Sequence, residues 1–571
     1  MFGNNSRTFT AILAALTLVL PLLSGCASTP SGITSQTQSA SQASAQSTET
    51  ATQKAGPYDK YDPVISMVSA LQYYDATKFL NGDTADNNLI TKTFKNELGI
   101  DITYKFSAPA QQYTDKVNIA IASADIPDAF IVTKDQYAKL LKTDMLADDL
   151  TSVVNNNASD ILKSILVSDG GVGMKVATKN DKLRAIPYVD SSLDRAEVMY
   201  LRNDWLKKVG LEAPKTVDDL VKTLDAFVHN DPDGNGQNDT SGLVANKTLF
   251  LDFASFQSIF AAYNAFPRLW IEKDGKLAYG SFQPEMKKAL EKLHEMYAAG
   301  LIDKEFSVKD FGKAAEPVIA GKAGAFFGNI TLPIWPCGLN MMKENNAEWG
   351  FYPAVSGEAQ EPKVVQPNAV QSLYVIRKGY EHPEAVVRIM NLMLDKLYGA
   401  SSAAQYHEFY GVDEKTSTNP HLNPFKMYNA RKNYSTYQVV KKAIADGNPA
   451  GLNPEDKNAY DLSELWLKNK DLGENGINFG MDGVFNTPST YDVVDGYVKG
   501  NRLLDDAFYG APTPAMTSRL SSIDNMIDEV ITKIIMGAAP IDEFDKAVSD
   551  AMNLGGQQMT DEANQWHDEI K

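Results

Sequence analysis

The chain has 571 residues, 43% of them hydrophobic and 10% aromatic, with a formal charge of −18. That length and apolar content support two or more full-sized lobes and argue against whole-chain disorder. The acidic balance argues against nucleic-acid binding and against docking to a membrane through a polybasic face.

The first segment reads as a processing signal, residues 1–25. Arg7 gives a basic start, residues 8–23 are apolar, and Leu23-Ser24-Gly25-Cys26 follows. This fits a bacterial lipobox, in which Cys26 becomes a lipidated N-terminus carrying palmitate-type acyl chains. Each buried CH₂ of such a chain contributes about 0.8 kcal/mol of membrane affinity. An ordinary secretory peptide with a chance cysteine is the plainer alternative. Residues 26–57 are rich in Ser, Thr, Gln and Ala and read as a tether that buries too little surface to order itself. Cys337 is the only other cysteine, so no internal disulfide is expected once Cys26 carries lipid.

From residue 58 onward, short apolar runs alternate with amphipathic stretches, the pattern of α/β lobes. Residues 88–98 ("NLITKTFKNEL") predict a helix stopped by Gly99, and "IDITYKF" alternates like a strand. A helix from 114, a turn at 126–128 and a buried strand over 129–132 come next. A second region opens with "VMYLRNDWLKKVGLEAP". Thr216 and Asp219 then form a capping box on a helix with an apolar stripe at Val217, Leu220, Val221, Leu224, Phe227 and Val228. Further helices are predicted over 284–299, 383–397 and 518–537, followed by a helical C-terminal end.

The helix begun at Thr216 runs into "HNDPDGNGQNDTSG". Counting Asp231 as position 1, Asp233 and Asn235 take positions 3 and 5, Gly236 the sharp turn, Gln237 position 7 through its carbonyl, and Asp239 position 9. This spacing wraps oxygens around a hard cation such as Ca²⁺. Position 12 is Gly242 instead of a bidentate Glu, and no amphipathic helix follows, which argues against a sensor EF-hand. A calcium-clipped loop and a metal-free Asp/Asn/Gly turn both remain open on the residues alone.

Catalytic signatures are thin. His407-Glu408 lacks the second His of a zinc helix, "GGVGMK" lacks the spacing of a phosphate loop, and there is no Gly-x-Ser-x-Gly elbow. Aromatics are plentiful, with 6 Trp and 25 Tyr. Flat C–H faces of sugars stack on such rings, while hydroxyls need planar polar partners. Trp205 reads as a helix-packing residue, whereas Trp335, beside Pro333, Pro336 and Gly338, sits in an irregular segment.

"YLRNDWLKKVGLEAPKTVDDL", "DPDGNGQND", "DGKLAYGSFQPEMKKALEKLHEMYAAGLIDKEF", "GKAGAFFGN", "HPEAVVRIMNLML", "FYGAPTPAM" and the closing "KIIMGAAPIDEFDKAVSDAMNLGGQQMTDEANQW" occur in this order. Together they resemble family 1 extracellular solute-binding proteins, especially the long lipoproteins that serve oligosaccharide ABC importers. The resemblance implies an α/β, two-lobed, periplasmic-binding-protein-like fold with a hinge and a ligand cleft between discontinuous lobes. Lobe one would take about 58–181 and 355–445, and lobe two about 182–354 and 446–571.

It implies a monomeric receptor that is not an enzyme, lipid-anchored outside the cytoplasm, which passes an oligosaccharide to ABC permease subunits. A receptor for a peptide or polyol, and a secreted glycoside-active enzyme, are the alternatives. By the resemblance, Asp231, Asp233, Asn235, Gln237 and Asp239 would hold a structural calcium ion in the second lobe, with Thr240 where relatives often have an acid. For the cleft, aromatic chemistry and family position point to Tyr188 and Asp190 at a lobe crossover, to Asn329 and Trp335, and to Trp270 and Trp466. Tyr113 and Gln371 are further candidates.

Overall fold

The computed structural model describes residues 56–570, apart from 74–76, 78, 81, 251, 345, 400–401 and 411–418. The leader, Cys26 and nearly all of the tether lie outside the described residues. No helix among the described residues is long and apolar enough to cross a membrane.

The first lobe is built on a five-stranded sheet, ordered Ile100–Pro109, Ile65–Tyr73, Ala129–Thr133, Val370–Ile376 and Ile186–Val189. The first three strands are parallel, and Val370–Ile376 returns antiparallel to both of its neighbours. Local chemistry starts and stops its elements. The Asn88 side chain accepts from the N–H groups of Ile90 and Thr91 and so caps the Leu89–Thr93 helix. The helix continues as a π-type turn to Leu98 and ends where Gly99 takes a φ of 67°. Ala129, Phe130, Ile131 and Val132 are all buried, as a parallel strand covered on both faces requires.

The second lobe has a four-stranded sheet in the order Trp349–Tyr352, Val198–Arg202, Ala323–Gly328 and Ser241–Leu243. Val217–His229 carries the expected capping box, with Val217, Leu220, Leu224 and Phe227 buried. These residues pack with Trp205, Phe256, Leu290 and Ile527 in a core separate from that of the first lobe. Trp205 packs edge-on against Phe227, as a helix-packing residue should. The guanidinium of Arg202, in the same core wall, lies 4.8 Å from the Trp205 ring and is paired with Asp204 and Glu344.

Strand pairing moves the lobe boundaries from those read in the sequence. Ile186–Val189 belongs to the first sheet, so the first crossing follows Val189, later than the expected 181. Val355 and Val364 lie in second-lobe clusters, and the chain rejoins the first core at Ala369, later than 355. The sequence places the helix Lys432–Asp446 in the first lobe through 445. It buries Tyr434, Tyr437, Val440 and Ala443 in the second-lobe cluster with Tyr200, Phe326 and Tyr491. The last crossing is therefore at 428–431. The three crossings lie side by side: Tyr428 N–H donates to Val189 O at 2.9 Å, and Asp190 N–H to Ala369 O at 3.0 Å.

Candidate functional site

Two cavities open beside these crossings, each lined by residues of both lobes. The first has a volume of about 540 Å³, a size that suits a small ligand. Leu397, Tyr406, Tyr410, His421 and Tyr428 line it from the first lobe, and Ile330, Thr331, Lys432, Asn433, Glu455 and Phe485 from the second. Tyrosine and aliphatic faces thus alternate with hydrogen-bonding groups.

The polar members are held by one another. Asp194, just past the first crossing, accepts from the Tyr491 hydroxyl, from Ser191 Oγ at 2.9 Å and from Asn433 Nδ2 at 2.6 Å. Its carbonyl accepts from Ile330 N–H at 3.2 Å. Desolvation raises the Asp194 carboxyl above its ordinary range despite these bonds. Lys432 Nζ lies 2.5 Å from Glu455 Oε1, with the two side chains 16% and 13% exposed. Burial disfavours the Lys432 charge most strongly of any single influence, but Glu455, Tyr410 and Asp194 together outweigh it and hold the ammonium above its usual value. Burial and then the charge of Lys426 push His421 down to about 4, so its imidazole is neutral at pH 7.

The second cavity, about 530 Å³, shares the 428–431 crossing as a wall, through Ala430 and Arg431. Ser168, Asp169 and Gly170 line it from the first lobe, and Glu272, Asp505, Asp506, Tyr509 and His567 from the second.

None of the residues selected from sequence lines either cavity, though several adjoin them. Tyr188 meets Tyr374 and Tyr428 edge-on. Asp190 is at the crossing, its carboxylate accepting from Ser191 N–H at 2.9 Å. Asn329 precedes the lining residues Ile330 and Thr331, but its Oδ1 is engaged by Thr331 N–H and Oγ1 at 2.9 and 2.8 Å. Trp335 is partly buried and stacks on Phe311 with ring centroids 5.1 Å apart.

The remaining candidates line neither cavity, although Trp270 and Gln371 bond to Asp506 and Asn368 in the wall of the second. Trp466 packs on Phe479 beneath Lys470. Gln371 is exposed at the first-sheet rim and donates to Asn368 O. Trp270 and Tyr113 are each 3% exposed, so neither offers a ring face to a ligand in this arrangement; both pack in apolar cores. Asp194, Asn433 and the Lys432–Glu455 pair were not singled out in the sequence.

The acidic loop lies at the opposite end of the second sheet from the crossings. Ser241 pairs with Ala323, while Gly328 ends that strand beside Asn329. Five residues of strand separate the two ends by roughly 16 Å. Within the loop, Asp231 accepts from Asn235 and Gly236 N–H at 3.1 and 3.0 Å. Asn235 Nδ2 donates to Asp233 and Asp239 at 2.8 and 3.0 Å. Lys322 Nζ bridges Asp233 and Asp239 at 2.8 and 2.7 Å.

The donor chemistry suits a hard cation, and a cation from the protein already sits on two of the carboxylates. No three acidic, His or Cys side chains among the described residues converge as a metal-binding group. The departures from a sensor loop have structural causes. Thr240 is buried and donates to Phe227 O at 2.7 Å, closing the end of the preceding helix. A Cβ on Gly242 would meet Leu301 O at 2.4 Å. Restoring the sensor ligand as Gly242→Glu is therefore expected to lower the melting temperature without tightening calcium binding. A calcium titration followed by thermal melting checks this.

A family model described as bacterial extracellular solute-binding protein matches residues 77–397, more than half of the 571. The chain belongs to this family. The solute-binding protein is 35% identical over 224 residues to lipoprotein LipO of Bacillus subtilis (strain 168), covering 38% of this chain and 42% of LipO. It is 24% identical over 367 residues to the fructooligosaccharide ABC transporter substrate-binding protein FusA of Streptococcus pneumoniae serotype 4 (strain ATCC BAA-334 / TIGR4), covering 61% of this chain and 63% of FusA. The matches thus span less than two thirds of either relative's length. The solved structure of S. pneumoniae FusA in complex with kestose superposes with a TM-score of 0.58 at 17% identity, over 89% of this chain and 99% of that one. The two-lobed α/β fold expected from the sequence is the fold of these neighbours.

Proposed function

We propose that this protein is a membrane-anchored extracellular receptor that captures an oligosaccharide between its lobes and delivers it to an ABC importer. The observation that carries this reading is the first cavity, where tyrosine faces of the first lobe meet Lys432, Asn433, Glu455 and Phe485 of the second across one space. A ligand touching both walls stabilises the closed arrangement by its differential affinity for it, which is how a binding event becomes a signal to a permease. FusA, named for fructooligosaccharide and solved with kestose, shares the family and the fold and supports the ligand class. The lipobox at Cys26, together with a relative named a lipoprotein, supports the anchor. The protein acts as a monomer and without catalysis.

Asp231, Asp233, Asn235, Gln237 through its carbonyl, and Asp239 would hold a structural calcium ion, with Lys322 giving way to it. Calcium is expected to raise the melting temperature, contributing about 2.7 kcal/mol when present at a hundredfold excess over its Kd, and to leave sugar affinity unchanged. Loss of sugar binding on mild chelation of a still-folded protein contradicts this.

The function is tested by following Trp fluorescence and thermal melting against oligosaccharides, polyols and peptides, with chromatography of the recovered ligand. Saturable sugar binding with intact ligand is expected. Binding of peptides or polyols alone replaces the ligand class, and cleaved sugar replaces the receptor by an enzyme.

A further inference from the structure

Away from the crossings, Lys134 of the first lobe reaches the second, where its Nζ donates to Tyr509 O at 3.2 Å. Strand register puts Lys134 at the crossing end of its sheet. Thr133 pairs with Ser372, and Ser372 pairs in turn with Tyr188, next to the crossing at Val189. Two strand spacings, roughly 10 Å, therefore separate Lys134 from that crossing. In the second lobe, Leu503–Asp505 pairs with Val364–Gln366, the strand that leads to the crossing at Ala369, and Tyr509 follows shortly after. An opening rotation about the crossings draws Lys134 and Tyr509 apart.

Local chemistry does not account for a lysine at this position. Lys134 is the first residue of the Lys134–Leu141 helix, whose N-terminus carries partial positive charge and disfavours a cation. The adjacent Asp135 is taken by Lys139 at 2.6 Å. Burial pushes the Lys134 ammonium down to about 8, against the opposing charge of Asp506 in the second lobe. It is still charged at pH 7, and its donor is spent on the other lobe.

The acceptor sits on a fixed part of the second lobe. The Tyr509 ring meets Trp566 edge-on with centroids 4.8 Å apart, and the Phe508 ring lies 4.5 Å from the same tryptophan. Ala507 N–H donates to Trp270 O at 2.9 Å, and Asp506 Oδ1 accepts from Phe508 and Trp270 N–H at 3.0 and 3.2 Å. A Cβ on Gly510 would meet Trp566 Nε1 at 2.7 Å, so the chain also runs tight against the C-terminal helix. A charge-assisted bond between two such fixed points is made when the lobes are together and lost when they part, so it acts on release more than on encounter.

We propose that Lys134 is a latch between the lobes, which through its bond to Tyr509 O holds the closed arrangement and slows release of the bound ligand. The inference rests on the receptor reading above and adds to it a positioning residue outside both cavity walls.

The experiment compares the mature protein with Lys134→Met, which keeps the aliphatic stem and removes the donor, and Lys134→Arg, which keeps a charged donor. Each is checked for an unchanged melt. Spin labels at Ile119→Cys and Val308→Cys, 68% and 74% exposed on the first and second lobes, report the distance between lobes with and without kestose. Cys337 is buried, and protein without the two new cysteines controls for label elsewhere. Stopped-flow Trp fluorescence gives the association and release rates of kestose. Lys134→Met is expected to shift the label distances to longer values and to release kestose about tenfold faster, the scale of one lost charge-assisted hydrogen bond, with association little changed. Lys134→Arg is expected to restore the distances and most of the slow release.

A folded Lys134→Met protein with parental label distances and parental release overturns the latch and leaves the receptor reading standing. Loss of the slow release in Lys134→Met with no recovery in Lys134→Arg and no change in label distance also overturns it, since the lysine then acts on the ligand and not on the lobes. If the parent binds no kestose, that counts against the oligosaccharide reading, and the label distances alone decide the latch.

Discussion

Replacing Glu455 with leucine is expected to destabilise the protein by about 3–5 kcal/mol, because it strands the Lys432 ammonium in a site from which water is largely excluded. The two side chains are only 13% and 16% exposed, and their atoms approach to 2.5 Å. Lys432 also reaches Asn433 Oδ1 at 3.0 Å, and its ammonium lies 6.0 Å from the Tyr398 ring centroid. None of these neighbours can take over the negative charge. Lys432→Met is expected to cost a similar amount for the mirror reason, leaving Glu455 unpaired.

The double variant, Lys432→Met with Glu455→Leu, is expected to recover most of the loss, since a pair of apolar residues carries no desolvation penalty. Urea unfolding of the four proteins checks this. Additive losses in the double variant contradict a coupled buried pair. Both residues line the first cavity, so the double variant is also expected to bind ligand more weakly than the parent despite its recovered fold.

Asp194→Ala is the second large effect. Its carboxylate is the common acceptor for Tyr491, Ser191 and Asn433, three groups on separate segments. Removing it leaves these donors facing one another and is expected to cost about 2–3 kcal/mol. Ligand affinity is expected to fall about tenfold, because Asn433, which lines the first cavity, loses the carboxylate that fixes it to the crossing. Asp194→Asn is expected to recover part of the loss: its carbonyl can accept from Asn433 while its amide donates to the Ser191 and Tyr491 hydroxyls, which also accept. Thermal melting and ligand titration of both variants measure this, and a fully stable Asp194→Ala protein with parental affinity refutes the role.

Much of the fold was legible in the sequence because its signals are local. The Val217–His229 helix declared itself by a capping box and an apolar stripe within one window, and Gly99 marked a helix end by its freedom to take positive φ. The run at 129–132 is apolar throughout because both of its faces are covered. The crossings were misplaced because nothing local distinguishes Ile186–Val189 as a last strand of the first sheet from a first strand of the second.

The site was harder. Asp194 is joined to Asn433 and Tyr491 across 239 and 297 residues, a distance no periodicity spans. Lys432 and Glu455 sit on two different helices and look like ordinary surface charges in sequence. Trp270 and Tyr113 were chosen as aromatic residues, yet composition cannot tell a ring that faces a cleft from one that fills a core. The acidic loop shows its oxygen-rich spacing in the sequence. The causes of its gaps, Leu301 O against Gly242 and Phe227 O against Thr240, come from strands and helices brought beside it by the fold.

The central claim is that the lobes close on an oligosaccharide without altering it. Titration calorimetry of neutral and acidic oligosaccharides into the mature protein, with chromatography of the ligand afterwards, tests it most directly. One saturable binding event per chain with the sugar recovered intact is the expected result; absence of binding heat for every sugar, or recovery of shortened sugar, contradicts the account.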